Sequence, residues 1–337
     1  MNSIDIQYRH LLEEILIGEE AYSYPDVKRD NVICHQINSF EIKHDMRMGF
    51  PLLQIKKLHL KNIFEELIWF LRGDNDIINL NAKGCKIWND DVRNFANNSF
   101  FYKYGQDPSP YTKEEYEKYI QDVLQGDLSY NIEDFSAGDI YGVKWRNWIS
   151  VANEQNDGDV ERVDQLDHVI NTIKKAPINR RSIINAWDAV SVQAHNSALP
   201  PCHWAFEILP YVKKDGTYGF DLKWHQRSVD TFLGLPYNIA SYGLLMLILE
   251  KILGMTPRFL IGDLSNVHIY ANHVEQCKTL IYRRLYPNLT QVKLNKEFDS
   301  LIEACYLQFE DFEIIDYNPQ GFVKAEMLSI TNPEWDK

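Results

Sequence analysis

At 337 residues, with 45% hydrophobic, 25% charged and 13% aromatic residues, the chain has the composition of a folded globular protein able to bury a substantial core. A formal net charge of -13 excludes a general role in coating nucleic acid or anionic membranes, which is driven by basic surface, so an anionic ligand must be met by a local arginine cluster. The five cysteines (Cys34, Cys85, Cys202, Cys277, Cys305) are odd in number, scattered and without CxxC spacing. This fits neither a disulfide framework nor a zinc site and points to a reducing cytosol.

In chain order, Ile6, Leu11, Leu12, Ile15 and Leu16 give the first segment a helical face that ends near Gly18. This start is amphipathic and carries acids, with no cationic head and apolar run of a signal peptide, so an unprocessed, cytoplasmic protein is expected. Residues 32–43 (VICHQINSFEIK) read as a strand. After the Gly49-Phe50-Pro51 turn comes a strongly apolar helix around FEELIWFL, stopped at Gly73. From about 93 to 137 the residues Asn, Ser, Tyr, Asp and Gly dominate. That stretch reads as a surface insertion, interrupted by one helix with the capping box Thr112-x-x-Glu115 and closed at Gly126.

Leu166, Val169, Ile170 and Ile173 mark another helical face, and RRSIINAW, HWAFEILPYV and YGFDLKWHQ are strand-like. IASYGLLMLILEKILG is too short to span a bilayer and reads as a central buried helix, so no membrane partner is expected. RFLIGDL, a helix from about Tyr270 to Arg284, and QFEDFEIIDY complete the pattern. The expected fold is α+β, a mixed β-sheet layered with helices, in one domain over 1–337 with an insertion at about 93–137.

Two segments carry chemistry. In Leu199-Pro-Pro-Cys202-His203 a cysteine stands between a proline pair and a strand, where its thiol can face a cleft. A thiolate is a strong nucleophile when cationic neighbours lower its pKa; the alternative is a small buried hydrophobe. His203 is not automatically its base, because adjacent strand residues point to opposite faces. In Trp224-His-Gln226-Arg227-Ser228-Val-Asp230, Arg227 and Ser228 suit a phosphate, the first as a planar fork of N–H groups and the second as a hydroxyl donor. Asn238 is either a ligand contact or the N-cap of the following helix.

Six segments, FEELIWFL, IYGVKWRNW, NRRSIINAWD, PPCH, QRSVDTFLGLPYNIASY and HIYANHVEQCK, together resemble the thymidylate synthase family, in the right order and over residues 5 to 328 or so. The resemblance implies a homodimer formed through the sheet that takes dUMP and the cosubstrate 5,10-methylenetetrahydrofolate. It implies that Cys202 attacks C6 of the uracil ring, assisted by Arg227. It places Arg29 as a mobile phosphate ligand, and Arg180 and Arg181 as a pair donated across the dimer interface to the partner's phosphate. Gln226, Ser228 and Asn238 would complete the nucleotide site, Asn238 reading the base, with His268 and Tyr270 on the sugar hydroxyl. Glu66, Tyr141 and His203 would serve proton movement at C5 and O4. Asp230 would contact the folate, which Lys56, Ile87 and Trp88 would wall in.

An amide that accepts N3–H and donates to O4 favours uracil, since cytosine reverses both demands. Plainer readings remain: Glu66 as an exposed helix acid, Tyr141, Ile87 and Trp88 as core packing, His203 as a satisfied strand residue. A lone carboxylate in the apolar run around Glu66 is costly, which favours function there. His268 and His273 have no third ligand nearby, so no metal is assigned.

The pattern departs from the family in four places. Asp30-Asn31-Val32-Ile33 replaces a Thr-Gly-rich run, Asp91 stands where a second Trp is common, and Leu264-Ser-Asn-Val267 replaces Gly-Gly-Asp-Thr. The chain also continues through Ile330 to Lys337, beyond the short apolar tail that closes over the folate. A displaced tail admits water, so a dUMP hydroxymethylase is the alternative expectation.

Overall fold

The structure is a computed structural model that describes residues 3–104, 111–129, 131–150, 161–287 and 289–328. Helix α1 (Ser3–Ile17) buries Ile4, Tyr8, Leu11, Leu12 and Ile15. Ile6 is exposed, which corrects its assignment to the apolar face: a 3.6-residue period through Ile4, Tyr8, Leu11 and Ile15 turns Ile6 outward. Strands β1 (Tyr22–Asp26) and β2 (Val32–Asp45) pair as a hairpin. Asp30 and Asn31 adopt φ of 50° and 59°, and the Asn31 amide donates to the Asp26 carbonyl at 2.9 Å. Asp and Asn are the non-glycine residues that tolerate this left-handed region, so the turn beside Arg29 forms without the expected glycines.

Helix α2 (Leu60–Leu71) is buried from Leu67 to Leu71 and ends where Gly73 takes φ 69°. Then follow α3 (Ile77–Asn81), α4 (Asn89–Tyr104) and α5 (Lys113–Gln125), the last with both halves of the Thr112–Glu115 capping box formed and Gly126 left-handed at its end. The loop character expected from residue 93 is corrected as far as 104, which is helical. Val92 points into the core, but most of the other residues of α4 are Asn, Asp and similar polar types, so composition hid the helix. Tyr116, Ile120 and Phe135 of the same stretch are buried.

Helix α6 (Tyr141–Arg146), the small pair β3 (Trp148–Ser150) and β4 (Glu161–Val163), and α7 (Gln165–Lys175) lead into β5 (Ile183–Asn185) and α8 (Ala189–Gln193). Helix α7 buries all four predicted positions, Leu166, Val169, Ile170 and Ile173. Next come β6 (His203–Val212), β7 (Tyr218–Gln226), β8 (Val229–Asp230), α9 (Leu235–Leu253) and β9 (Thr256–Tyr270). The expected helix from Tyr270 shrinks to α10 (Val274–Ile281), because Tyr270 is taken by the β-ladder opposite Cys34 and 271–273 form a single 3-10 turn. Strand β10 (Gln291–Leu294), α11 (Leu301–Ala304) and β11 (Phe312–Ile315) close the chain's regular structure.

The main sheet runs β1-β2-β9-β7-β6-β5, with β8 also on β9. It is mixed: β9 is parallel to β7 and β8, and the other pairs are antiparallel. Helix α1 packs on β2 and α9 on β9, while α2 lies against α9. Ile183 and Leu209, on the side of the sheet that carries Glu207, are exposed. After β11 the chain crosses back as a strap. The Gln320 amide donates to Gln54, the Glu326 carbonyl meets His273 Nε2 at 2.7 Å, and Arg29 Nε donates to the Leu328 carbonyl at 3.3 Å. The tail extension from 329 to 337 lies outside the described residues.

Candidate active site

Cys202 sits at the end of the Pro200-Pro201 loop, just before β6, and is the one cysteine of the five that is not fully buried. Arg227 clamps that loop. Its amide donates to the Cys202 carbonyl at 2.8 Å, Nε to Pro201 at 2.9 Å and Nη2 to Pro200 at 2.8 Å, while the guanidinium lies over the Trp187 ring. Arg227 and Ser228 occupy the break between β7 and β8. Gln226 pairs with Leu264 and Val229 with Val267, so the same parallel register resumes beyond them. Asn266, at φ 49°, fills the neighbouring position on β9 and donates Nδ2 to the Arg227 carbonyl at 2.8 Å.

The Tyr141 hydroxyl accepts the Cys202 amide hydrogen at 2.9 Å. Burial pushes the Cys202 thiol above its ordinary 9.0, against the downward pull of Arg227, the Tyr141 hydrogen bond and Arg29. The Arg227 charge acts in the direction expected of it from the sequence, and the desolvation of the thiol outweighs it.

His203, fully enclosed, is depressed to about 3 by burial and is neutral at physiological pH. One face stacks on Tyr141, with centroids 3.8 Å apart, and Nδ1 is 2.9 Å from the Tyr242 hydroxyl. Glu66, projecting from α2, accepts a hydrogen bond from Trp88 Nε1 at 2.8 Å, and burial raises its carboxyl from 4.5 to about 7. A carboxyl poised there can give or take a proton at neutral pH.

A small cavity with room for about one water lies between Glu66, Trp145, His203, Asn238 and Tyr242. Asn238 is not the N-cap of α9. Gly234 holds that position, and Asn238 lies one turn inside, its amide donating to the Gly234 carbonyl at 3.1 Å. Its side chain is therefore free of capping duty, and Oδ1 accepts from Gln226 Nε2 at 3.1 Å.

Arg29 pairs with Asp26 at 3.0 Å and lies over the Tyr270 ring. Tyr270 and His268 are neighbours on one face of β9, with ring centroids 5.0 Å apart. His268 Nδ1 meets the Asn266 carbonyl at 2.8 Å, and burial lowers its pKa. Asp230, paired with His268 across β8 and β9, accepts the amides of Phe232 and Leu233 and so braces the turn into α9. Lys56 donates to the Phe232 carbonyl, and burial lowers it to about 8. Ile87 is exposed beside the buried Trp88. Arg180 and Arg181 are exposed on the segment before β5. Among the described residues no group of three His, Cys, Asp or Glu is arranged to hold a metal, and no helix is long and apolar enough to cross a membrane.

Tyr242, Trp187, Asp26 and Trp224 belong to the site's framework and were not singled out from sequence. For Trp224 a signal existed, since it stands two residues before Gln226 on a strand and therefore on the same face.

Residues 6–329 match the thymidylate synthase family. The thymidylate synthase of Mesoplasma florum is 35% identical over 324 residues, which covers 95% of this chain and 99% of that protein. The chain belongs to the thymidylate synthase family. The family match spans all the site residues described above, from Asp26 to Tyr270, so the site is built entirely within the thymidylate synthase region. Residues 330–337 lie beyond it.

Proposed function

We propose that the chain is a thymidylate synthase, a methyltransferase that converts dUMP to dTMP with 5,10-methylenetetrahydrofolate and releases dihydrofolate. The observation that carries the reading is the convergence of Cys202, Tyr141 and Arg227, which Tyr141 joins through its stack on His203 to a small cavity lined by Glu66, His203 and Asn238. In this reading Cys202 adds to C6 of the uracil ring, which makes C5 nucleophilic. C5 bonds the one-carbon unit and loses its proton, and the bond from that carbon to the folate nitrogen breaks. The exocyclic methylene left on C5 takes hydride from tetrahydrofolate to become the methyl group, leaving dihydrofolate, and Cys202 leaves C6.

Each side chain has a task its surroundings support. Asn238 offers Oδ1 to N3–H and Nδ2 to O4, and Gln226 holds the amide in that sense. Cytosine would leave buried polar groups unpaired at about 1 to 3 kcal/mol each. Neutral His203 and Glu66 handle protons near O4 and C5 around the single-water cavity. Arg227, Ser228 and Arg29 hold the phosphate, with Arg180 and Arg181 donated from the second subunit of a homodimer that buries the exposed sheet face at Ile183 and Leu209. His268 and Tyr270 meet the sugar hydroxyl. Trp88 and Ile87, with Lys56 and Asp230, form the folate wall, and Trp88 shields the transferred carbon from water. The region near 93–137 is a surface elaboration of one catalytic domain.

The deciding experiment incubates the protein with dUMP and methylenetetrahydrofolate, follows dihydrofolate by absorbance and weighs the nucleotide product. dTMP with stoichiometric dihydrofolate is expected. Hydroxymethyl-dUMP with tetrahydrofolate returned would overturn the synthase reading.

A further inference from the structure

Gln226 and Asn238 are both side-chain amides, and an amide can turn over and exchange its donor for its acceptor. Something must hold them in one sense if Asn238 is to prefer uracil. The alternation of β7 places Trp224 and Gln226 on its buried face. Indole Nε1–H is a donor with no acceptor capacity, and it donates to Gln226 Oε1 at 3.2 Å. The other end of the Gln226 amide is thereby obliged to be nitrogen. Gln226 Nε2 donates one hydrogen to the Ser228 carbonyl at 3.1 Å and the other to Asn238 Oδ1 at 3.1 Å. Oδ1 of Asn238 thus faces Gln226, and its Nδ2 is turned the other way.

We propose that Trp224 is a positioning residue that sets the orientation of the Asn238 amide through Gln226, and with it the choice of uracil over cytosine. The inference rests on the reading of Asn238 as the residue that meets the base. Cytosine presents an acceptor at N3 and a donor at C4, so it needs Asn238 reversed. Reversal brings Asn238 Nδ2 against Gln226 Nε2. Turning Gln226 to relieve that clash sets Nε2 against the Trp224 N–H and Oε1 against the Ser228 carbonyl.

The indole cannot step aside. Trp224 is completely buried and stacks on Tyr242, with centroids 5.2 Å apart and planes 14° from parallel. Its ring edge occupies the space left by Gly262, where an added Cβ would come within 2.4 Å of the ring. The orienting chain therefore runs from a fixed donor, through two amides, to the ligand cavity.

The test measures KM for dUMP and the inhibition constant of dCMP, whose ratio is defined even if dCMP is not turned over. Trp224→Phe keeps an aromatic ring and removes the N–H. The preference for dUMP should fall about tenfold, the worth of one buried hydrogen bond. Gly262→Ala, whose Cβ would overlap the indole edge and force the ring from its present position, should shift the ratio the same way. If Trp224→Phe does not fold, Gln226→Glu carries the test. A carboxylate accepts on both oxygens, draws Asn238 Nδ2 toward it, and should favour dCMP more strongly. An unchanged ratio in the folded Trp224→Phe protein, or in Gln226→Glu, overturns the inference. Asn238→Asp separates the two layers. If it shifts the ratio while the Trp224 variant does not, only the orienting chain is wrong; if neither shifts it, base reading by Asn238 falls as well.

Discussion

The Tyr141 ring lies flat on His203, with centroids 3.8 Å apart and planes 6° from parallel, while its hydroxyl takes the amide hydrogen of the next residue back, Cys202. One side chain thus holds both the strand's first residue and the backbone of the proposed nucleophile. Tyr141→Phe keeps the stack and leaves that amide without its acceptor, at a cost of about 1 to 3 kcal/mol. We expect kcat to fall about ten- to a hundredfold with KM for dUMP nearly unchanged. Full activity in steady-state kinetics would show that the hydroxyl has no part in placing Cys202.

Because burial holds the Cys202 thiol above 9.0, its alkylation by iodoacetamide should still be accelerating at pH 9. Arg227→Ala removes the largest downward influence and should move the midpoint higher still. The other cysteines do not obscure the measurement, since Cys34, Cys85, Cys277 and Cys305 are buried. A midpoint at or below neutrality, read by mass spectrometry of the Cys202 peptide, would contradict the environment described here.

The Glu66 carboxyl titrates near 7 in the folded chain and near 4.5 when exposed. A raised acid binds its proton more tightly when folded, so its stabilising contribution is complete below about 4.5 and is lost as pH rises through 7. One such group changes stability by at most about 1.4 kcal/mol per pH unit in that window. Glu66→Gln, neutral throughout, should gain stability relative to the parent as pH goes from 5 to 8. Part of the slope should persist, because burial also lifts Asp5 to about 7 and Asp91 to about 6. Parallel curves for the two proteins in urea denaturation would place the Glu66 proton elsewhere.

If the chain pairs as the homodimer proposed above, the Arg180→Ala and Cys202→Ser proteins should each be nearly inactive, the second because the proposed nucleophile is gone while phosphate and base contacts remain. Mixing the subunits should restore activity, since one site in each heterodimer combines an intact Cys202 with intact arginines from across the interface. Heterodimers that form and stay inactive would assign the arginine pair to its own subunit.

Much of this protein was legible in its sequence where the determinants are local. The Thr112–Glu115 capping box, the stop at Gly73 and the face of α7 need only neighbouring residues, and the structure has them as read. The chemistry-bearing types, a cysteine after two prolines and an arginine beside a serine, are local as well, as is the ordered set of family motifs. Local reading misled where a helix showed mostly polar residues, as in α4, where a β-ladder claimed a helix-like start, as at Tyr270, and at Ile6, which faces outward. What tertiary structure decided depends on partners far apart in the chain. Tyr141 reaches Cys202 across 61 positions, and His203 meets Tyr242 across 39. The neutral state of His203 and the raised carboxyl of Glu66 come from how much water their neighbours exclude, which no stretch of sequence states. The same holds for Asn238. Its local sequence allowed a helix cap, and only the fold shows Gly234 in that position and the Asn238 side chain bonded to Gln226 beside the cavity.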